Sequence, residues 1–243
     1  MPRRRCEGVN GGAANDDPAQ PSYQEAWPGG KEAFDANAAY LLAGARGVRV
    51  SKAPSTPVIL HLDRGDCVPV AQAALRPLAA RGVVDAVDIL GFSFHPKFHT
   101  GRLQNLDYTL NAVARDYKKD IVLMEVAFPF AGAQWEPESD EWDWPVTPEG
   151  QAQFTRDVAR VVRNIEANQT VAKGGSGAKG LGYYWWHPEL VAGYSLGDVW
   201  EGGRYSFFHR NGTALPAAPA MGDVNVAPRG RTCTCGRPLP SNV

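Results

Sequence analysis

Four apolar runs recur along this chain with an amphipathic stretch between each pair: Pro57 to Leu62, Val84 to Phe94, Asp120 to Val126 and Gly180 to Trp186. Their spacing of about 30 to 60 residues is too long for hairpins and right for one helix per connection, the pattern of βαβ units in a parallel sheet. The run Ile121-Val122-Leu123-Met124 is continuously apolar, as in a strand covered on both faces. The stretches between the runs carry helical periodicity. Ala33 to Val50 places Phe34, Ala38, Leu41, Leu42 and Ala45 on one stripe, and helices are expected again over Val68 to Arg81 and Leu103 to Tyr117. Thr147 can cap a helix beginning at Pro148, where the missing N–H of proline costs nothing, and that stripe runs on to Ile165. The expected fold class is α/β.

In such folds the carboxyl ends of the strands lie together on one face, where sites are built. The residues of this chain that look chemical sit at those ends: His61 and Asp63, Ser93 and His95, Glu125, and Trp185 with Trp186. Glu125 is the most telling. An ionised carboxylate buried without partners is costly, so the end of this apolar strand is expected to be an open, polar place. An ion pair with an Arg or Lys is the alternative for that residue. Trp135, Trp142 and Trp144, in an acidic loop after Glu125, and the pair Trp185-Trp186 offer the flat faces on which sugars stack, with core packing the alternative for Trp135 and Trp185. His61 and His95 are candidate substrate contacts, or are satisfied by backbone partners.

Composition narrows the partners. A net charge of −1 over 243 residues and no basic stripe interleaved with aromatics argue against nucleic acid. No apolar run is long enough to span a membrane. Arg3-Arg4-Arg5 is not followed by an apolar stretch, so no signal peptide is visible. The four cysteines, Cys6, Cys67, Cys233 and Cys235, are too scattered to define a disulfide framework or a zinc site. Glu136, Glu138, Asp140, Glu141 and Asp143 match no calcium loop, and neither metal nor cofactor is expected. Two triplets, Asn168-Gln169-Thr170 and Asn211-Gly212-Thr213, fit the glycosylation acceptor pattern. Residues 1–24 and 222–243 lack periodicity and are expected to be disordered, leaving one domain over 25–221.

Four segments stand in order along the chain: Asp88-Ile89-Leu90-Gly91-Phe92-Ser93-Phe94-His95-Pro96, Met124-Glu125-Val126-Ala127-Phe128-Pro129, Val146-Thr147-Pro148-Glu149-Gly150-Gln151 and Ala214-Leu215-Pro216-Ala217. Together they resemble glycoside hydrolase family 53, the arabinogalactan endo-β-1,4-galactanases. The similarity runs from about Ala26 to Met221, starting where the family's Leu-Trp-Pro loop appears as Ala26-Trp27-Pro28. The resemblance implies a (β/α)8 TIM barrel, a galactan or arabinogalactan substrate, an extracellular location, and retaining hydrolysis by one Glu after the fourth strand and another after the seventh. Glu125 matches the second of these, the nucleophile. His61 falls on the family's fifth-strand histidine and Trp186 on its eighth-strand tryptophan. Phe94 and His95 stand where the family has paired tyrosines, and His187 replaces a Glu.

Only four strands can be counted from Pro57 onward, so a partial barrel carrying about the last four β/α units is expected. The acid/base Glu should lie just before Trp27, and counting back lands near Gln20, so its identity here is unknown. A half barrel would expose two strand edges and its apolar interior, which predicts self-association. The alternative function is a noncatalytic carbohydrate-binding remnant, or a half barrel that must associate to fold.

Overall fold

The computed structural model describes residues 28–99, 101–132, 142–171, 176–191 and 199–223. Four strands, β1 (Ile59–Arg64), β2 (Ile89–Phe94), β3 (Asp120–Val126) and β4 (Gly180–Trp185), form one sheet in chain order, and all three pairings are parallel. Helix α1 (Gly30–Arg49) precedes the sheet. Helices α2 (Val68–Ala79) and α3 (Val83–Ala86) join β1 to β2, α4 (Leu103–Tyr117) joins β2 to β3, and α5 (Pro148–Val171) joins β3 to β4. Helix α6 (Ala217–Asp223) closes the described chain. Gly222 and Asp223, the first two residues of the segment expected to be disordered, finish α6. The rest of that tail, and residues 1–24, lie outside the described residues.

The helices cover one face of the sheet. Leu60, Leu90, Phe92, Ile121 and Leu123 point into them and join a core with Leu75, Leu106, Leu110, Phe154 and Ile165. The opposite face is open: β1 alternates buried Leu60 with exposed Ile59, His61 and Asp63, and Tyr184 of β4 is 60% exposed. That alternation carries β1 to Arg64, two residues past the expected end, because a strand open on one face needs no continuous apolar run. Two glycines set close approaches. A Cβ on Gly180 would lie 1.8 Å from the Val162 carbonyl oxygen, so only glycine lets β4 lie against α5. A Cβ on Gly91 would meet Met124 Cγ at 2.6 Å, on the open face just below the strand ends.

The start of α5 follows the sequence expectation: Gly150 N–H donates to Thr147 Oγ1 at 3.0 Å, and Pro148 is the first helical residue. Inside that helix Gln151, fully buried, donates from Nε2 to the carbonyls of Phe128 at 2.9 Å and Ser206 at 3.1 Å. One amide thereby ties the segment after β3 to the segment after β4.

Candidate active site

Strands β2 and β3 bring the polar strand ends together. Phe92 pairs with Leu123 and the next residue, Ser93, pairs with Glu125, so β3 carries one extra residue at Met124. Leu123 faces the helices, and without this bulge Glu125, two residues on, would face them as well. The extra residue turns Glu125 away from the core. Its carboxylate is 26% exposed, and Oε2 lies 3.3 Å from His95 Nε2. Next to it, His61 Nε2 and Ser93 Oγ share a hydrogen bond of 2.8 Å.

His95 is buried, and the loop after it is held by His99. The backbone N–H of His95 donates to His99 Nδ1 at 3.0 Å, which leaves the His99 proton on Nε2, where it points to Asp63 Oδ1 at 3.3 Å. That hydrogen bond holds the Asp63 carboxyl below the usual carboxylate range, although Asp63 itself is exposed. Arg64 Nε donates to the buried Asp66 at 3.0 Å and completes the base of the loop. Beyond it Glu201 accepts from Lys97 Nζ at 2.6 Å and from Arg204 at 2.5 Å, joining the loop after β2 to the 3-10 turn Trp200–Gly203. Trp200 presents its ring edge-on to His95 at 6.1 Å and lies 6.0 Å from His187. Trp186 follows β4, donates its backbone N–H to the Val126 carbonyl at 2.9 Å and packs its ring at 4.4 Å against His187.

His61, Ser93, His95 and Glu125 thus form one cluster, Asp63 is engaged by His99 at its border, and Trp186 stands at the neighbouring strand end. Two of the tryptophans offered as sugar platforms are core residues. Trp144 is 4% exposed, with its ring 4.9 Å from Phe154 and Nε1 donating to Asp157, and Trp185 is buried with Nε1 donating to the Tyr205 carbonyl at 2.9 Å. Phe94, matched to a family tyrosine, is likewise fully buried and stacks on Phe154 at 5.9 Å. Trp142 packs edge-on against Phe128. Trp135 and Glu136, Glu138, Asp140 and Glu141 lie outside the described residues. Among the described residues no group of three or more His, Cys, Asp or Glu side chains could hold a metal ion. The sequence reading missed His99, Trp200 and Glu201. His99 alone left a trace, standing four residues after His95 in a loop begun by Pro96.

Burial, followed by the neighbouring His99, lowers the pKa of His95 below the ordinary histidine value, against the opposing pull of Glu125 and Asp63. Facing a carboxylate through Nε2, the neutral ring carries its proton there. Its Nδ1 is buried with no hydrogen-bond partner among the described residues. In the window between the lowered value and about 6.5, the unfolded chain binds a proton at this residue that the folded chain does not. Stability is therefore complete above about 6.5 and falls as pH drops through that window. Urea unfolding from pH 7.5 to 5 is expected to show this slope, flattened in His95→Gln; an unchanged slope in the variant would remove His95 as its source.

The sequence profile of Glycosyl hydrolase family 53 matches residues 14–221. The chain belongs to this family. A Thermothelomyces thermophilus protein named arabinogalactan endo-β-1,4-galactanase is 26% identical over 196 residues, which cover 78% of this chain and 55% of that protein. A Bacillus subtilis endo-β-1,4-galactanase is 31% identical over 111 residues, 43% of this chain and 23% of that one. Among solved structures, one from a study of two fungal β-1,4-galactanases superposes with a TM-score of 0.63 at 24% identity, covering 81% of this chain and 57% of that chain. The likeness fixes the fold of this family 53 chain as a partial (β/α)8 barrel, its open face being the barrel interior. The chain spans about half the length of the first curated relative it matches, 55%.

Proposed function

We propose that this chain carries the nucleophile side of an arabinogalactan endo-β-1,4-galactanase site, with Glu125 attacking the anomeric carbon of a β-1,4-linked galactosyl unit in a retaining mechanism. The observation that supports it best is the Glu125 carboxylate, turned by a bulge to the carboxyl end of a parallel sheet with His95 Nε2 at 3.3 Å. The names of the relatives supply the substrate class, β-1,4-galactan or arabinogalactan. Trp186 and Trp200, both partly buried, are the faces on which galactosyl rings would rest, and His61 and Ser93 the groups to hold hydroxyls.

Retaining hydrolysis needs a second carboxyl group about 5 Å from the first to protonate the leaving oxygen. Counting back to the matching place lands near Gln20, where no carboxylate stands, and Glu25 is close but out of register. Asp63 is no substitute, since the His99 hydrogen bond favours its ionised form and a general acid must hold a proton. On this reading the acid/base Glu is missing, and chemistry depends on the leaving group. Dinitrophenolate leaves an aryl galactobioside without protonation, whereas an alkoxide does not leave an alkyl galactobioside unless it is protonated. The purified chain is expected to favour the first over the second by about 10²–10⁴ beyond a family member with both carboxylates, measured as initial rates. An ordinary ratio would show that a general acid is present.

A second reading has an observation of its own. Ile59 is 38% and Tyr184 60% exposed on the open face, so a noncatalytic half barrel that buries this face against a second copy is the competitor. Sedimentation of the chain with and without Tyr184→Lys distinguishes them, because only association through this face is reversed by that charge. An extracellular location, implied by the resemblance to galactanases, is part of the proposal.

A further inference from the structure

We propose that Asn211 is an acceptor for an N-linked glycan, on a loop at the same end of the sheet as Glu125. The inference rests on the extracellular reading for its biological setting, while the chemistry rests on the loop alone. Asn211-Gly212-Thr213 has the acceptor pattern, and every residue from Phe208 to Ala214 is exposed. The loop is a tight reversal: Phe208 bridges Ala214, His209 N–H donates to the Thr213 carbonyl at 2.8 Å, and Gly212 N–H donates to the His209 carbonyl at 2.8 Å. Gly212 takes φ 84, the left-handed conformation that puts the turn between the asparagine and the threonine. Asn211 Oδ1 accepts from Thr213 N–H at 3.0 Å, which folds the carboxamide toward the threonine and leaves Nδ2 as its reacting atom.

The second acceptor triplet provides an internal contrast. Asn168-Gln169-Thr170 lies within α5, where Thr170 Oγ1 donates to the Glu166 carbonyl at 2.8 Å and Gln169, 4% exposed, donates to the Asn111 carbonyl at 3.0 Å. A helix holds that triplet out of the turn an acceptor needs, and its central residue is fixed in the α4–α5 contact. In the transfer, Asn211 Nδ2 forms a bond to C1 of the sugar of a lipid-diphosphate-linked oligosaccharide. The C1–O bond to the diphosphate breaks, the lipid diphosphate leaves with its electron pair, and Nδ2 gives up one proton. No oxidant or reductant is needed.

The glycan would sit beside the strand ends. Phe207 N–H donates to the Pro188 carbonyl at 2.8 Å, and the His209 ring lies 5.5 Å from Phe130, which follows β3. The same loop is therefore packed against segments that leave both β3 and β4.

The test translates the full chain behind a cleavable secretory signal with eukaryotic microsomes and scores only protease-protected molecules. Expected is a single endoglycosidase-sensitive mass increase, lost in Asn211→Gln and in Thr213→Ala and retained in Asn168→Gln. Protected chain without a glycan, or a glycan lost only in Asn168→Gln, overturns the proposal. Because the assay supplies the signal and reads no hydrolysis, failure of the galactanase reading would leave its outcome unchanged.

Discussion

Glu125→Gln is expected to reduce turnover of a dinitrophenyl galactobioside by on the order of 10⁴-fold or more, the scale on which a covalent nucleophile is lost. The amide has the shape of the carboxylate, and its oxygen can still accept from His95 Nε2, so the cluster should keep its geometry. Glu125 is partly exposed and makes no other side-chain hydrogen bond among the described residues, which makes the change in unfolding free energy less than about 1 kcal/mol. Activity and stability therefore separate. A 2-deoxy-2-fluoro galactobiosyl substrate with a good leaving group would accumulate the covalent intermediate in the unmodified chain, seen as added mass on the peptide bearing Glu125. The variant should gain none. Equal turnover by the two chains, or label on any other carboxylate, would rule out Glu125 as nucleophile, whereas unlabelled chain that still binds galactan would favour the noncatalytic reading.

How much of this was legible in the sequence depends on what each residue faces. Strands β2 and β3 and helices α4 and α5 were readable because their buried faces repeat at a fixed period. The end of β1 was not, since Asp63 and Arg64 are polar and the strand is known only from its pairing with β2, where Arg64 meets Ser93. Trp185 and Trp186 are neighbours in sequence with opposite surroundings, the first buried and the second half-buried. Which of them is buried follows from the pairing of Val126 with Trp185, and pairing is a tertiary property. The bulge at Met124 was equally silent, yet it is what turns Glu125 out of the core. Glu201 meets Lys97 across two loops that carry no periodicity, so neither spacing nor composition could have joined them. Resemblance could name Glu125, His61 and Trp186, but it could not reveal that His99 fixes the backbone of His95.

The site depends on a core residue that touches no substrate. Phe154 of α5 is fully buried and its ring meets those of Phe94 at 5.9 Å, Phe128 at 5.2 Å, Trp144 at 4.9 Å and Trp185 at 5.8 Å. These rings come from the end of β2, the segment after β3, the loop before α5 and the end of β4, so one side chain fills the space under three strand ends. Phe154→Ala leaves a cavity among four aromatics, which cannot close over it without moving the backbone, and should cost about 3–5 kcal/mol. At this chain length that corresponds to a fall in Tm of roughly 6–20 °C. Tyr184→Ala removes a ring from the open face of the same sheet and should change stability by no more than about 0.5 kcal/mol. Thermal and urea unfolding of both variants measures the contrast. Similar losses would mean that the open face is packed in solution, as in the self-associated half barrel. A Tm within about 2 °C of the parent for Phe154→Ala would mean that this aromatic cluster does not hold the strand ends. In a chain with a stability of about 5–15 kcal/mol, the predicted loss also loosens the Phe128 segment just beyond Glu125. The variant's residual activity should therefore fall at temperatures where most of the chain is still folded.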